Sequence, residues 1–369
     1  MKKEVLILGF VSFFTDMASA MITTTFPLFL VYVLKNGVDK LGIVIGIATF
    51  VSYFFRVVFG IISDRYAIRK PLAVSGYIIS AVSKPLFYFA ASWWHIAVFR
   101  SLDRFAKAMR SAPKDALLSA YGKEKGKIFG LHKMLDVAGE MSGALIVFLM
   151  FYFYSPCEET FRNIFLLTAV PGIIAIILSF FIKDIKNKKE YKFDIKKDFT
   201  FIKKLIILNI MLLFVVSESF FIVKAKENTG YLYIPLFVIL LNFIQTVFSY
   251  PFGLLIEKMN EKFYYFLGLF HISAVLALYF DFLISAFVFE GLFLVGFFNF
   301  FRIFISKNAY NTATVYGIFY FLVAVFGGIG SVIAGFVWKN FGFDYAVIFS
   351  TLGIILSLII WRVYARADN

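Results

Sequence analysis

GIISDRYAIRK, residues 60–70, is a charged interruption between two long apolar runs, 41–62 and 71–92. An apolar run of roughly 20 residues is long enough to cross a bilayer as a helix. A break of only a few residues between two such runs forces them to lie antiparallel. The basic residues Arg65, Arg69 and Lys70 mark which side of the membrane the turn occupies, because lysine and arginine accumulate in cytoplasmic loops.

The same alternation continues along the chain. Of its 369 residues 61% are hydrophobic and 16% charged, and its mean hydropathy is +0.85. Soluble domains run at about 45–50% apolar and about 25% charged, so the medium that solvates most of this surface is lipid. Runs bounded by charge, glycine or proline give twelve spans, at about 5–34, 41–62, 71–92, 93–113, 128–153, 162–182, 203–224, 233–256, 263–281, 284–305, 314–337 and 344–361. The N-terminal run imitates a cleaved signal, with Lys2 and Lys3 before Val5–Phe14 and Ala18-Ser19-Ala20 beyond it. Its continuation to Leu34 and the presence of Asp16 within it fit a first transmembrane helix better.

With the N-terminus inside, the cytoplasmic segments carry 24 lysines and arginines, nine of them in the linker 183–204. The outer segments carry six: Lys35, Lys40, Arg162, Lys224, Lys226 and Lys339. Both termini are therefore expected in the cytoplasm, and the net charge of +14 reads as a topology signal rather than as nucleic-acid affinity. The linker separates an N-terminal six-helix bundle, 1–182, from a C-terminal one, 205–369.

The halves repeat one another. Thr15-Asp16 aligns with Ser217-Glu218, Phe59-Gly60 and Asp64-Arg65 with Phe252-Gly253 and Glu257-Lys258, and Gly130 and Gly143 with Gly317 and Gly330. Parallel repeats of this kind are a transporter architecture with the solute site near the midplane.

The stretch 60–70 resembles the loop motif G-x-x-x-D-R-x-x-R-[KR] of the major facilitator superfamily. RKPL (69–72), SKPL (83–86), the charged stretch 100–117 and FGLHKMLD (129–136) are similar to a prokaryotic branch of that family whose substrates are mostly unassigned. The resemblance implies twelve helices in two pseudo-symmetric bundles and movement of small solutes by alternating access. Ala20, Thr24, Ala106, Ala108 and Ala144 depart from the branch pattern, so its coupling behaviour does not carry over. Gly60, Asp64, Arg65, Arg69 and Lys70 become a candidate cytoplasmic gate, in which Gly60 allows close approach of a neighbouring helix. A topology signal alone would also account for the three basic residues.

Charges inside the spans cost about 2.5–3.5 kcal/mol each near the bilayer centre on insertion scales, so their placement is informative. Arg100, Asp103, Arg104, Lys107, Arg110 and Lys114 share one arc of a helix, and His132, Asp136 and Glu140 share one on the next. With midplanes set near residues 103 and 139, the expectation is that these helices meet through Arg104–Glu140 and Lys107–Asp136, or the diagonal pairs. Asp16, Arg100, Asp103, Arg104, Lys107, Asp136, Glu140 and Glu218 are the candidates for a solute or proton pathway. Fixed ion pairs that never titrate are the competing reading for Asp16 and Glu140.

The charged residues of the first-half spans are basic overall, with Arg56, Lys84, Arg100, Arg104, Lys107, Arg110 and Lys133 against Asp16, Asp103, Asp136 and Glu140, which favours an anionic or zwitterionic solute; amphipathic-compound efflux by proton antiport is the alternative. A lipid-moving protein or a passive channel is the alternative of another class. No nucleotide-binding glycine loop, HExxH or paired-cysteine motif supports an enzyme, an ATP drive or a metal cofactor. The expected setting is therefore the inner membrane, with a small solute and the bilayer as partners, a proton gradient as the drive, no nucleic acid, and a monomer as the working form.

Overall fold

Long helices follow one another with very short connections, as the alternation of apolar runs and charged breaks requires. The computed structural model describes residues 3–121, 125–184, 198–310 and 312–367. The greater part of the basic linker, 185–197, and the side chain of Asp64 lie outside the described residues. The first-half helices are α1 (Lys3–Leu28, prolonged by a π turn, Phe29–Val33), α2 (Val38–Tyr66), α3 (Arg69–Ser83), α4 (Trp93–Ala120), α5 (Lys125–Phe153), α6 (Glu158–Leu167) and α7 (Ala169–Phe180). The second-half helices are α8 (Phe199–Asn209), α9 (Glu218–Thr229), α10 (Ile234–Met259), α11 (Phe263–Tyr279), α12 (Leu283–Asn308), α13 (Thr312–Leu322), α14 (Gly328–Phe341) and α15 (Phe343–Ala367).

Among the described residues, ten stretches are long and apolar enough to cross a membrane. One of them, Ile234–Tyr279, contains both α10 and α11, and α4 is not among them. Composition alone rejects α4 because it carries seven charged residues, six of which share one face. Where α7 and α15 present a surface it is apolar: Val170, Ile173 and Ile177 on α7, and Ile348, Leu352, Ile355 and Ile359 on α15 are exposed at helical spacing. That is the surface a helix against hydrocarbon needs.

The chain forms two compact units. The first comprises residues 1–36, 47–191 and 229–239; the second comprises 37–46, 192–228 and 240–369. In the first unit α3 packs chiefly on α4, and α1 on α5. The α1–α5 contact is made by backbone, because a Cβ at Gly139 or Gly143 would collide with the carbonyls of Phe13 and Met17. In the second unit Gly330 on α14 lies in the same way against the carbonyl of Leu212. Gly143 and Gly330 are the pair that the internal repeat aligns, so the repeat places a side-chain-free residue where each half needs its tightest helix crossing.

The repeat breaks at span seven. Asp16 lies inside continuous α1, whereas Glu218 opens α9 after an interruption. Helix α8 passes into a 3-10 turn, Ile210–Leu213, and residues 214–217 are not helical. Elsewhere in the second unit, the start of α2 packs on α14, with Gly42 against Ser331 and Gly335, and Lys339 Nζ lies 3.1 Å from Asp39 Oδ2.

Replacing Gly143 by valine forces the Met17 carbonyl away and is expected to cost about 1–3 kcal/mol or more. Gly130, with nothing near its absent Cβ, tolerates alanine. Thermal unfolding of the two variants in detergent is the measurement: a clear drop in Tm for Gly143→Val and little change for Gly130→Ala.

Candidate functional site

The charges of α4 fall into a sealed group and an open group. Nearest the N-terminal end of the helix, Asp103 is buried and receives Lys84 Nζ at 2.8 Å, the hydroxyl of Ser80 at 3.0 Å and Arg100 at 3.5 Å. Lys84 sits where Pro85 ends α3. A cation is favoured at a helix C-terminus, and its ammonium also donates to the Ser80 carbonyl at 3.1 Å and to the Ser80 hydroxyl. Arg100 continues to Thr23 on α1 at 3.2 Å and lies over the Phe26 ring at 4.7 Å. Lys84, at 0% exposure, is thus a core residue. Its position just before a proline was the available signal.

Further along α4, Arg110 lies over the ring of Tyr77 at 5.0 Å, with its guanidinium 3.8 Å from Asp16 Oδ1. Asp136 Oδ2 is 3.2 Å from His132 Nδ1 and 3.9 Å from Lys114, and His132 Nε2 hydrogen-bonds Ser12 Oγ at 3.0 Å.

The expected Arg104–Glu140 and Lys107–Asp136 pairs are not formed. There are two physical reasons. First, α4 packs on α3 and α5 on α1, so α4 and α5 face each other only in part. Second, α4 does not stop at Pro113 but runs to Ala120, which moves its midpoint about one turn toward its C-terminal end. Asp136 meets Lys114, two turns beyond Lys107, and the shift of the midpoint supplies about one of those turns.

That shift leaves Arg104, Lys107 and Glu140. Among the described residues these three side chains make no ion pair within 4 Å and no hydrogen bond, and each is only partly buried. Lys107 lies within electrostatic reach of both Asp16 and Glu140. The open group is therefore two cations and one carboxylate, held on a scaffold of ion-paired residues.

The gate residues are dispersed in their roles. Lys70 Nζ donates to the Phe180 carbonyl at 2.9 Å, and its amide donates to Asp184 at 3.3 Å, which fastens the start of α3 to the end of α7. Arg69 is buried and Arg65 is exposed beside the Tyr66 ring. Gly60 does not mark a close approach, since a Cβ there would stand 3.6 Å from Ala112 Cβ, an ordinary contact. In the second half Lys224 pairs with Glu227 at 2.6 Å, and Glu218 occupies the first turn of α9. Sequence reasoning did not bring together His271 and Glu290, whose side chains are buried in contact at 2.8 Å.

The profile of the Major Facilitator Superfamily matches residues 8–301. The chain belongs to this superfamily. It is 31% identical over 360 residues to an uncharacterized MFS-type transporter of Methanocaldococcus jannaschii, covering 92% of this chain and 89% of that protein. It is similar over a shorter stretch, 28% over 132 residues, to the multidrug resistance protein MdtH of Photorhabdus laumondii, covering 35% of this chain and 33% of that protein. Among solved structures, a point mutant of the nucleoside transporter NupG superposes with a TM-score of 0.78 at 15% identity, covering 99% of both chains. This MFS chain is accordingly a multi-pass membrane protein and a solute transporter.

In the transporter's sealed group, removing one partner leaves an uncompensated buried charge. Asp103→Leu alone is expected to cost about 3–5 kcal/mol, and the double change Lys84→Met with Asp103→Leu to recover most of it. Thermal unfolding of the two single variants and the double variant measures this coupling.

Proposed function

We propose that this transporter is a secondary active carrier that moves a small anionic or zwitterionic solute across the cytoplasmic membrane by alternating access, energised by protons. The observation that carries the reading is the open group on α4 and α5. Among the described residues Arg104 and Lys107 have no carboxylate within 4 Å, although charges inside spans are retained only where they meet a partner, water or a transported group. A guanidinium and an ammonium one helical turn apart on one face match a carboxylate or phosphate. Glu140 stands in the same space with no hydrogen-bond partner among the described residues, which makes it the proton acceptor in this reading. The drive is the gradient, without nucleotide or resident cofactor, and the monomer is the working unit. Arg65, Lys70 and the basic linker 183–204 hold the cytoplasmic side.

A second reading, efflux of amphipathic compounds by proton antiport, draws on the relative named as a multidrug resistance protein. Ligand-dependent stabilisation of the purified protein across a panel of carboxylates, phosphates, amino acids and cationic amphipaths separates the two. The expected result is stabilisation by members of the anionic or zwitterionic set, lost in Arg104→Ala and in Lys107→Ala. Stabilisation by cationic amphipaths that survives both changes would select efflux instead. For the stabilising compound, Glu140→Gln in proteoliposomes is expected to keep solute exchange and to lose accumulation driven by a pH gradient.

The orientation has its own reporter. Cys157 is the chain's single cysteine; it is exposed in the short turn between α5 and α6, and hydrogen bonding with Thr160 holds its thiol below the ordinary value. With both termini cytoplasmic this turn is external, so a membrane-impermeant maleimide should label intact cells and fail with Cys157→Ser. Labelling only after permeabilisation would reverse the orientation.

A further inference from the structure

The interruption of span seven exposes backbone groups in a region that hydrocarbon cannot solvate. In an unbroken helix the Val216 N–H would bond the Leu212 carbonyl; here it donates to His271 Nε2 at 3.1 Å. Because Nε2 accepts, the ring proton is on Nδ1, and Nδ1 donates to Glu290 Oε2 at 2.8 Å. A chain of bonds thus runs from the broken backbone through an imidazole of fixed tautomer to a carboxyl group. Both side chains are at 0% exposure, with the Phe293 ring 4.7 Å and the Phe221 ring 6.3 Å from the imidazole. The other carboxyl oxygen, Glu290 Oε1, is buried and has no hydrogen-bond partner among the described residues.

This geometry leaves one place for a proton. Nε2 is occupied by the amide and Nδ1 already carries hydrogen, so an imidazolium would require the loss of the Val216 bond. Oε1 is free, and a carboxylate with one unsolvated oxygen is costly to bury. No basic side chain compensates it: neither His271 nor Glu290 makes a further ion pair among the described residues. The charged and titratable groups on the surrounding elements are Glu218, Lys224, Lys226 and Glu227 on α9, Tyr250, Glu257 and Lys258 on α10, Tyr264, Tyr265 and Tyr279 on α11, and Arg302 and Lys307 on α12. Of these, Lys224 is engaged with Glu227, Tyr264 donates to the Leu208 carbonyl at 2.9 Å, and Arg302 is exposed. On α15 the charges, Asp344, Arg362 and Arg366, lie at the helix ends.

We propose that Glu290 is a proton-binding site of the second half, taking up a proton at Oε1, and that His271 is the positioning residue that ties its charge state to the break at Val216. The inference rests on the proton-coupled reading and adds a site that the α4–α5 charges do not contain. The linkage is electrostatic. An ionised carboxylate pulls on Nδ1–H and makes Nε2 a stronger acceptor. A neutral acid relaxes that pull and loosens the hold on the Val216 amide. Broken helices at membrane depth are where transporters place ion sites, and here the break and the proton site share one imidazole.

Infrared difference spectra of the purified full chain in lipid, taken between alkaline and acidic pH, test the site without any solute. The expected result is a protonated-carboxyl band that is lost in Glu290→Gln and kept in Glu140→Gln. In Glu290→Asp the band moves in frequency, which serves if the glutamine variant does not fold. A spectrum unchanged by either substitution at 290 overturns the proposal and makes the pair a fixed cap on the helix break. Amide exchange across 210–217 tests the link: it should be faster in Glu290→Gln than in wild type at high pH and equal at low pH. A difference independent of pH removes His271 from the linkage. Because neither readout involves transport, failure here leaves the Glu140 flux experiment standing.

Discussion

The contact between Lys84 and Asp103 decides how the first half of the transporter presents its charges. Both groups are buried at a depth where neither is stable alone, and each finds its partner only because α3 packs against α4. Once Asp103 is satisfied by Lys84, Ser80 and Arg100, the polar face of α4 is oriented, and the groups one and two turns on are directed elsewhere. Arg110 meets Asp16, and Lys114 meets Asp136. Arg104 and Lys107 remain, with Glu140 across from them. The open group is what is left once Asp16, Asp103 and Asp136 are paired, and on the proposed reading it is the part offered to a solute.

The two halves solve the same packing problem and differ in chemistry. Gly143 and Gly330 each let a helix rest on the backbone of the first span of its half, which is why the repeat survives at these positions. At the positions of Asp16 and Glu218 the halves diverge. In the first half an unbroken helix carries a carboxylate that pairs with Arg110. In the second the helix is interrupted, and the lost backbone bond is replaced by His271, backed by Glu290. A histidine between a backbone amide and a carboxyl is rigid in tautomer, so it transmits a change at one end to the other.

Much of this was legible in the residues. Apolar runs of membrane length, the charged loop 60–70, the asymmetry of basic residues and the aligned glycines together determined an all-helical membrane transporter. The one-face arcs on α4 and α5 marked the candidate residues, because a charge in lipid must be gathered on the side away from it. The partners were not legible. Helical periodicity tells which residues share a face but not which neighbour that face meets. The assumption that consecutive helices pair placed Asp136 opposite Lys107 instead of Lys114.

What the sequence by itself determined is therefore the medium, the alternation of apolar runs with charged breaks, and the identity of the charged faces, all of which follow from local composition and a fixed helical period. What only the tertiary structure decided is which charges are neutralised and which are left open. It also decided that His271 and Glu290, nineteen residues apart on different helices, close over a break in a third. Those outcomes depend on helix register and on backbone-to-backbone approach, and neither is encoded within a single span.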